Sequence, residues 1–96
     1  MLVLPQALTY EQSCHALRTL LQALRDQNEP EVLVDASALC RFDSSALAVL
    51  LACRRESLKL GRGFAIRGLS PRLTDLATLY GVQDLLPVLH ELQPAP

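Results

Sequence analysis

The sequence is poor in several features that mark particular classes of protein. It contains no tryptophan, two phenylalanines and two tyrosines, so its core must be built mainly from aliphatic side chains. Its formal net charge is -1, which excludes a global basic field for nucleic acid or anionic lipid. No apolar run approaches the roughly 20 residues that span a bilayer, and Met1-Leu2-Val3-Leu4 is too short for a signal peptide. These absences predict a cytoplasmic protein that neither binds nucleic acid nor inserts directly into a membrane.

Patterns for metal binding and catalysis are also missing. Cys14, Cys40 and Cys53 are odd in number and lack the spacing of a metal site. Cys14 and Cys53 fall on apolar helix stripes and are predicted to be small core residues. His15 and His90 both lie far along the chain from any candidate nucleophile, and there is no glycine-rich phosphate loop. The sequence therefore predicts no catalytic residue, no metal site and no cofactor.

The length and the order of the elements predict the fold class. The 96 residues, 50% of them apolar, can form one domain with a modest core. Strand-like and helix-like segments alternate, which indicates an α/β fold. We expect a single domain over residues 1–96, with a small, mostly parallel or mixed sheet of about four strands and packed helices. Residues 1–8 are predicted to form an edge strand, where Pro5 is tolerated, and residues 93–96 a frayed tail.

Local patterns locate the first elements. Thr9 and Gln12 have the spacing of a capping box, which predicts a first helix that ends near Asp26. The continuous apolar character of residues 31–36 predicts a central strand that is buried on both faces. Residues 63–67 predict a further strand, with its phenylalanine and isoleucine on one face.

Two more helices are predicted downstream. One runs from Ser44 to about Leu60 and ends at Gly61, a natural C-cap. The other begins with Ser70 as N-cap and Pro71 at the first helical position. Their predicted inward stripes are Leu47, Leu50, Leu51 and Leu58 in the former, and Leu73, Leu76, Ala77 and Tyr80 in the latter.

The loop between the central strand and the second helix is the candidate functional region. Loops that lead from a strand to a helix usually carry function in such sheets. Asp43 is a good N-cap, because its carboxylate can accept from the free N–H groups of the first turn. Ser44 and Ser45 then lie in that turn, close to solvent. From the pattern alone, these residues could be capping residues only or part of a binding surface.

Two motifs in this region resemble those of STAS domains. The segment V-L-V-D-A-S-A-L-C-R-F-D-S-S-A-L-A-V-L-L-A is similar to the family's apolar strand, Asp-x-Ser, loop, Asp-Ser-Ser-Gly-Leu and apolar helix. The segment G-R-G-F-A-I-R-G-L-S-P-R-L-T-D-L-A-T-L-Y-G-V-Q-D-L-L-P is similar to the following strand, Gly-Leu-Ser-Pro and helix. The resemblance covers about residues 31–88. Ala46 stands where the family often has glycine. STAS domains usually begin with one more strand, for which this chain has no room, so we expect either a sheet that is one strand smaller or a start that is late.

The resemblance implies a non-catalytic protein-interaction module. In the family, the surface around the Asp-Ser-Ser loop and its helix docks onto a nucleotide-binding partner. Carried onto this chain, the partner-binding patch comprises Asp43, Ser44 and Ser45, with the exposed side of the following helix around Ala48 and Arg55.

Two branches of the family offer different partners. The short, leucine-rich chain with its trimmed N-terminus resembles the MlaB-type subunit of Mla phospholipid ABC transporters. This branch implies a cytoplasmic accessory subunit that binds the transporter's ATPase subunit and associates peripherally with the inner membrane through that complex. The alternative is a bacterial anti-sigma factor antagonist. There the first serine after the aspartate, here Ser44, is a phosphosite of the anti-sigma factor kinase, and phosphorylation switches binding off.

Overall fold

Strands and helices alternate through residues 2–86, which are the residues that the computed structural model describes. In chain order the elements are β1 (Leu2–Val3), β2 (Ala7–Leu8), α1 (Tyr10–Asp26), β3 (Glu31–Asp35), β4 (Arg41–Phe42), α2 (Ser44–Lys59), β5 (Gly63–Arg67) and α3 (Pro71–Leu79). A short 3-10 helix, Gln83–Leu85, follows α3. The predicted tail at 93–96 and His90 lie outside the described residues.

The strands of this part of the chain form two parallel sheets. One is three-stranded in the order β1-β3-β5, with β3 in the centre, and the other pairs β2 with β4. The predicted α/β class is confirmed. A continuous edge strand over residues 1–8 is not formed, because Pro5 has no N–H to continue the ladder and Ala7–Leu8 instead pairs with Arg41–Phe42. The two-residue strand β4 was not predicted.

The core lies on one face of the larger sheet. It contains side chains from all three α-helices of residues 2–86 and from one face of the strands, including Val32, Val34 and Ile66. Leu33, on the opposite face of β3, is only half-buried, and Val3 is 59% exposed. The prediction that the central strand is buried on both faces is therefore wrong, because the helices cover only one of them.

The helices begin where their capping residues predict. The Thr9 N–H donates to Gln12 Oε1 at 2.9 Å, and α1 starts at the next residue. Asp43 caps α2, and the Leu73 N–H donates to Ser70 Oγ at 3.2 Å to cap α3. Each cap is made within three residues of its helix start, so these signals can be read from the sequence.

Three residues predicted to be buried are exposed. Leu58 is 50% exposed. The residue that lies two helical turns after Leu50, on the buried side of α2, is Ser57 and not Leu58. Ser57 is fully buried, and its hydroxyl donates to the Cys53 carbonyl at 2.8 Å. Tyr80 is 57% exposed, since it is the C-cap of α3 and no longer continues the helical stripe. Cys14 is also exposed, because its side of α1 borders the open groove between α1 and α2.

The two sequence motifs meet at the carboxyl ends of β3 and β5. Asp35 and Arg67 are paired in the parallel register. Directly beyond them, the Ala36 N–H donates to the Arg67 carbonyl at 2.8 Å. Gly68 has a φ of +71°, and a Cβ placed on it would lie 2.8 Å from Ser37 Cβ. This contact explains why a glycine must follow β5.

Helices α1 and α2 lie side by side and run in the same direction. Asp43 at the start of α2 bonds Tyr10 at the start of α1. At the other end, Arg25 Nε lies 3.1 Å from Glu56 Oε2. Arg62 Nη1 donates to the Leu24 carbonyl at 2.6 Å, so this arginine caps the C-terminus of α1 although it follows α2 in the chain. Among residues 2–86, no helix has the length and apolar character needed to cross a membrane.

Candidate protein-interaction site

The Asp43 carboxylate joins the N-termini of α1 and α2. Its Oδ1 accepts from the Ser45 N–H at 2.8 Å, and its Oδ2 accepts from the Tyr10 N–H at 3.0 Å. The bond from Ser45 first, and then the bond from Tyr10, lower the pKa of Asp43 below its ordinary 3.8. The carboxylate is therefore charged at neutral pH and faces the positive ends of two helix dipoles. Sequence reasoning found the α2 cap but missed Tyr10, which is 33 residues away.

A second carboxylate shapes the loop before β4. Asp35 Oδ1 accepts from the Ser37 N–H at 3.0 Å and also from the Ser37 hydroxyl. The hydroxyl bond, followed by the backbone bond, lowers the pKa of Asp35. Leu39, only 5% exposed, anchors the loop in the core, and its N–H donates to the Ala36 carbonyl at 3.1 Å. The loop is thus held at both its polar start and its apolar middle.

Ser44 and Ser45 line different grooves beside α2. Ser44 is exposed and lines a groove of about 280 Å³ between α2 and the end of α3. Ser45 is half-buried and lines a groove of about 240 Å³ between α1 and α2. The first groove is completed by Leu47, Ala48, Leu51, Tyr80 and Val82. The second is completed by Tyr10, Ser13, Cys14, Leu17, Ala48 and Val49.

Ala48 forms the ridge between the two grooves. It is exposed and lines both of them, and its small side chain permits close approach of another backbone. Tyr10 and Tyr80, 79% and 57% exposed, stand on the outer sides of the grooves. We call Tyr10, Ser44, Ser45, Ala48 and Tyr80 the α2 face. No charged residue of the described range lines either groove, although the Asp43 carboxylate accepts from the backbone N–H groups of Tyr10 and Ser45.

The structure does not bring every predicted site residue together. Arg55 lies on the Ala48 side of α2, but two turns beyond it, about 10 Å along the helix axis, and it lines neither groove. Conversely, the two tyrosines that line the grooves were not among the predicted site residues. Tyr80 was assigned to the core, although its position beside Gly81 at the helix end was a signal of exposure. Ala46, at the family's glycine position, is fully buried in the core.

The α2 face has no arrangement for nucleophilic catalysis among the described residues. His15 is exposed on α1 and lines a different groove of about 460 Å³ beside β1, away from both serines. Within residues 2–86, no group of three or more His, Cys, Asp or Glu side chains could hold a metal ion. Burial raises the pKa of the Cys53 thiol to about 11, so this cysteine stays protonated at neutral pH.

Comparison with known proteins places this geometry in a family. Residues 7–88 match the family model for "Mlab, STAS domain". The chain belongs to the MlaB-type STAS domain family. In this STAS domain, the Asp-x-Ser and Gly-Leu-Ser-Pro motifs are therefore the segments that meet through Ser37 and Gly68. STAS domains are generally non-catalytic modules of protein–protein interaction.

Solved structures show the same fold. This STAS domain is similar to an anti-sigma-factor antagonist (STAS) domain protein from Planctomyces limnophilus, with a TM-score of 0.74 and 22% sequence identity. The alignment covers 90% of this chain and 77% of that chain. At this identity the likeness establishes the fold alone. No curated protein matches the sequence.

Proposed function

We propose that this STAS domain is a non-catalytic accessory subunit whose α2 face binds the ATPase subunit of a Mla-type phospholipid-transport ABC complex. The observation that carries the proposal is the pair of grooves on either side of Ala48, bordered by exposed tyrosines. The match of residues 7–88 to the MlaB-type family supports this choice of partner. In this proposal the protein is cytoplasmic and associates with the inner membrane only through the complex.

The composition of the α2 face suits a protein partner. Cores of protein interfaces are depleted in charged residues and enriched in tyrosine. A tyrosine supplies a large apolar ring and a hydroxyl that can stay at the wet rim. Tyr10 and Tyr80 have this form, and the small Ser44, Ser45 and Ala48 between them leave room for the partner's side chains.

The exposure of Ser44 supports a second candidate function, that of an anti-sigma factor antagonist. Ser44 is exposed at the first position of α2, whereas Ser45 is half-buried and its N–H is bound by Asp43. Ser44 is therefore the residue that a kinase could reach. A phosphate would add about −1.5 to −2 charges. The helix N-terminus would tolerate this charge, but a partner packed on the α2 face would be displaced.

Co-purification with the cognate ATPase subunit tests the proposal. Ser44→Arg places a long cation in the groove beside Tyr80, so we expect the complex to be lost while the melting curve stays cooperative. Thr19→Arg is the matched control, because Thr19 is exposed on the side of α1 that borders the β1 groove. It should bind like the parent.

Three results would contradict the proposal in different ways. Undiminished binding by a well-folded Ser44→Arg would place the interface elsewhere. Equal loss in Thr19→Arg would show that added positive charge, and not the α2 face, controls binding. Capture of an anti-sigma factor kinase alone, with phosphorylation of Ser44 by it, would replace the transporter role with the alternative.

A further inference from the structure

Beyond the α2 face, helices α1 and α2 carry four basic side chains that form no ion pair within residues 2–86. They are Arg18, Arg54, Arg55 and Lys59, which we call the basic end. Arg54 is half-buried, and the other three are exposed. None of them forms an ion pair with another residue of the described range, 2–86. The basic end therefore supplies cations that form no ion pair within the described range, and on α2 they begin about two turns beyond Ala48.

No acidic residue of the described range forms an ion pair with the basic end. Glu56 is already paired with Arg25, their closest atoms being 3.1 Å apart. Asp26, the last residue of α1, accepts a hydrogen bond from Gln22 Nε2 at 3.1 Å and forms no ion pair within residues 2–86. The whole chain has a net charge of only -1, so the positive charge is a local feature.

The helix dipole accounts for only part of this arrangement. Lys59 lies in the last turn of α2, where a cation is favourable. Arg18 is in the middle of α1, where the dipole has little effect. It follows Cys14 by one turn and therefore continues the side of α1 that borders the α1–α2 groove. Arg55 likewise follows Ala48 by two turns along α2.

We propose that the α2 face takes an α-helix of the partner, with aliphatic side chains over Ala48 and acidic side chains that face Arg18 and Arg55. This inference rests on the proposed function, since it describes the binding segment of the same partner. Ser45 and Ala48 are small enough to let a helix approach at the usual interaxial distance of about 8–10 Å. An amphipathic helix is a common occupant of such apolar grooves. Along this helix, the acidic residues that face Arg55 should lie about 10 Å from the aliphatic contacts, and those that face Arg18 about 6 Å.

The charges are expected to act mainly on the rate of association. Ion pairs at an exposed rim add little affinity, but they steer the encounter of the two proteins. Arg55→Glu and Arg18→Glu should therefore each lower the association rate constant by about tenfold at low salt, with little change in dissociation. At high salt this difference should disappear, because the screening length shortens to a few ångströms.

The experiment measures association and dissociation of the full chain with the cognate ATPase subunit at low and high salt. Arg55→Lys should behave like the parent, and Arg55→Gln should lie between the parent and Arg55→Glu. Thr19→Glu is the matched control for Arg55→Gln, since it makes the same change in net charge on the β1 side of α1. It should leave the rate unchanged. Reversing an acidic residue in the ATPase helix to lysine should restore binding of Arg55→Glu.

The outcomes separate this inference from the proposed function. If Ser44→Arg abolishes binding but Arg18→Glu and Arg55→Glu associate like the parent at low salt, the acidic helix is wrong and the α2 face stands. If Thr19→Glu slows association as much as Arg55→Gln, only net charge matters and the inference fails. If Arg55→Glu loses binding to vesicles of anionic phospholipid while its ATPase kinetics are unchanged, the basic end contacts lipid instead.

Discussion

Gly68→Ala tests the contact that joins the two sequence motifs. The added Cβ would lie 2.8 Å from Ser37 Cβ and 2.9 Å from Ser37 N. These atoms cannot move aside easily, because the Ser37 N–H donates to Asp35 at 3.0 Å and the Ala36 N–H donates to Arg67 at 2.8 Å. The substitution must therefore shift either the end of β5 or the loop that leads to α2.

The size of the effect follows from two separable costs. Alanine in the left-handed region costs roughly 1–2 kcal/mol. Forcing a methyl group into a packed site adds about 1–3 kcal/mol. Gly61 and Gly81 have nearly the same φ, +73° and +70°, and a Cβ on either would meet nothing within 4 Å. Alanine at these two positions should therefore show the first cost alone.

Chemical and thermal unfolding of the three variants gives the measurement. We expect Gly68→Ala to lower the free energy of unfolding by about 1–3 kcal/mol more than Gly61→Ala or Gly81→Ala. For a domain of this size, each kcal/mol lowers the melting temperature by about 4–8 °C. The reasoning is refuted if Gly68→Ala is no less stable than the two controls. An ATPase-binding defect in Gly68→Ala at a temperature where it is folded would further show that this contact positions the loop before α2.

Two further predictions concern stability. Leu50 is fully buried, so Leu50→Ala should lower the free energy of unfolding by about 2–5 kcal/mol. Leu58→Ala should cost much less, because Leu58 is 50% exposed; equal losses in urea unfolding would contradict the observed helix phase. Folding lowers the pKa of Asp43 below its ordinary value of 3.8. The ionised carboxylate therefore stabilises the folded protein above pH 3.8, and this stabilisation is lost as the pH falls through the pKa of the folded state. Asp43→Asn should therefore have a lower free energy of unfolding than the parent at neutral pH, and this difference should narrow in acid unfolding curves below pH 3.8. A difference that stays constant with pH would argue against capping of both α1 and α2 by the Asp43 carboxylate.

The predicted N-cap of α2 was correct, but its link to α1 was not predicted. The cap at Asp43 and the position of Ser44 at the helix start could be predicted, because each involves neighbours within a few residues. The bond from Asp43 to Tyr10 could not, because it joins two helices that are distant in sequence. Arg55 was placed with the serines, since a sequence pattern shows that residues share a helix side but not how far a surface extends.

The sequence by itself determined the elements whose signals are local. Helix starts at Thr9, Asp43 and Ser70 depend on hydrogen bonds within one turn, and the α/β class follows from the order of strands and helices. Only the tertiary structure decided which face of the sheet is covered, which side of α2 is buried, and that Tyr10 and Tyr80 border one surface. These features depend on how the helices pack against one another. Packing is set by the combined shape of residues far apart in the chain, and no local pattern records it.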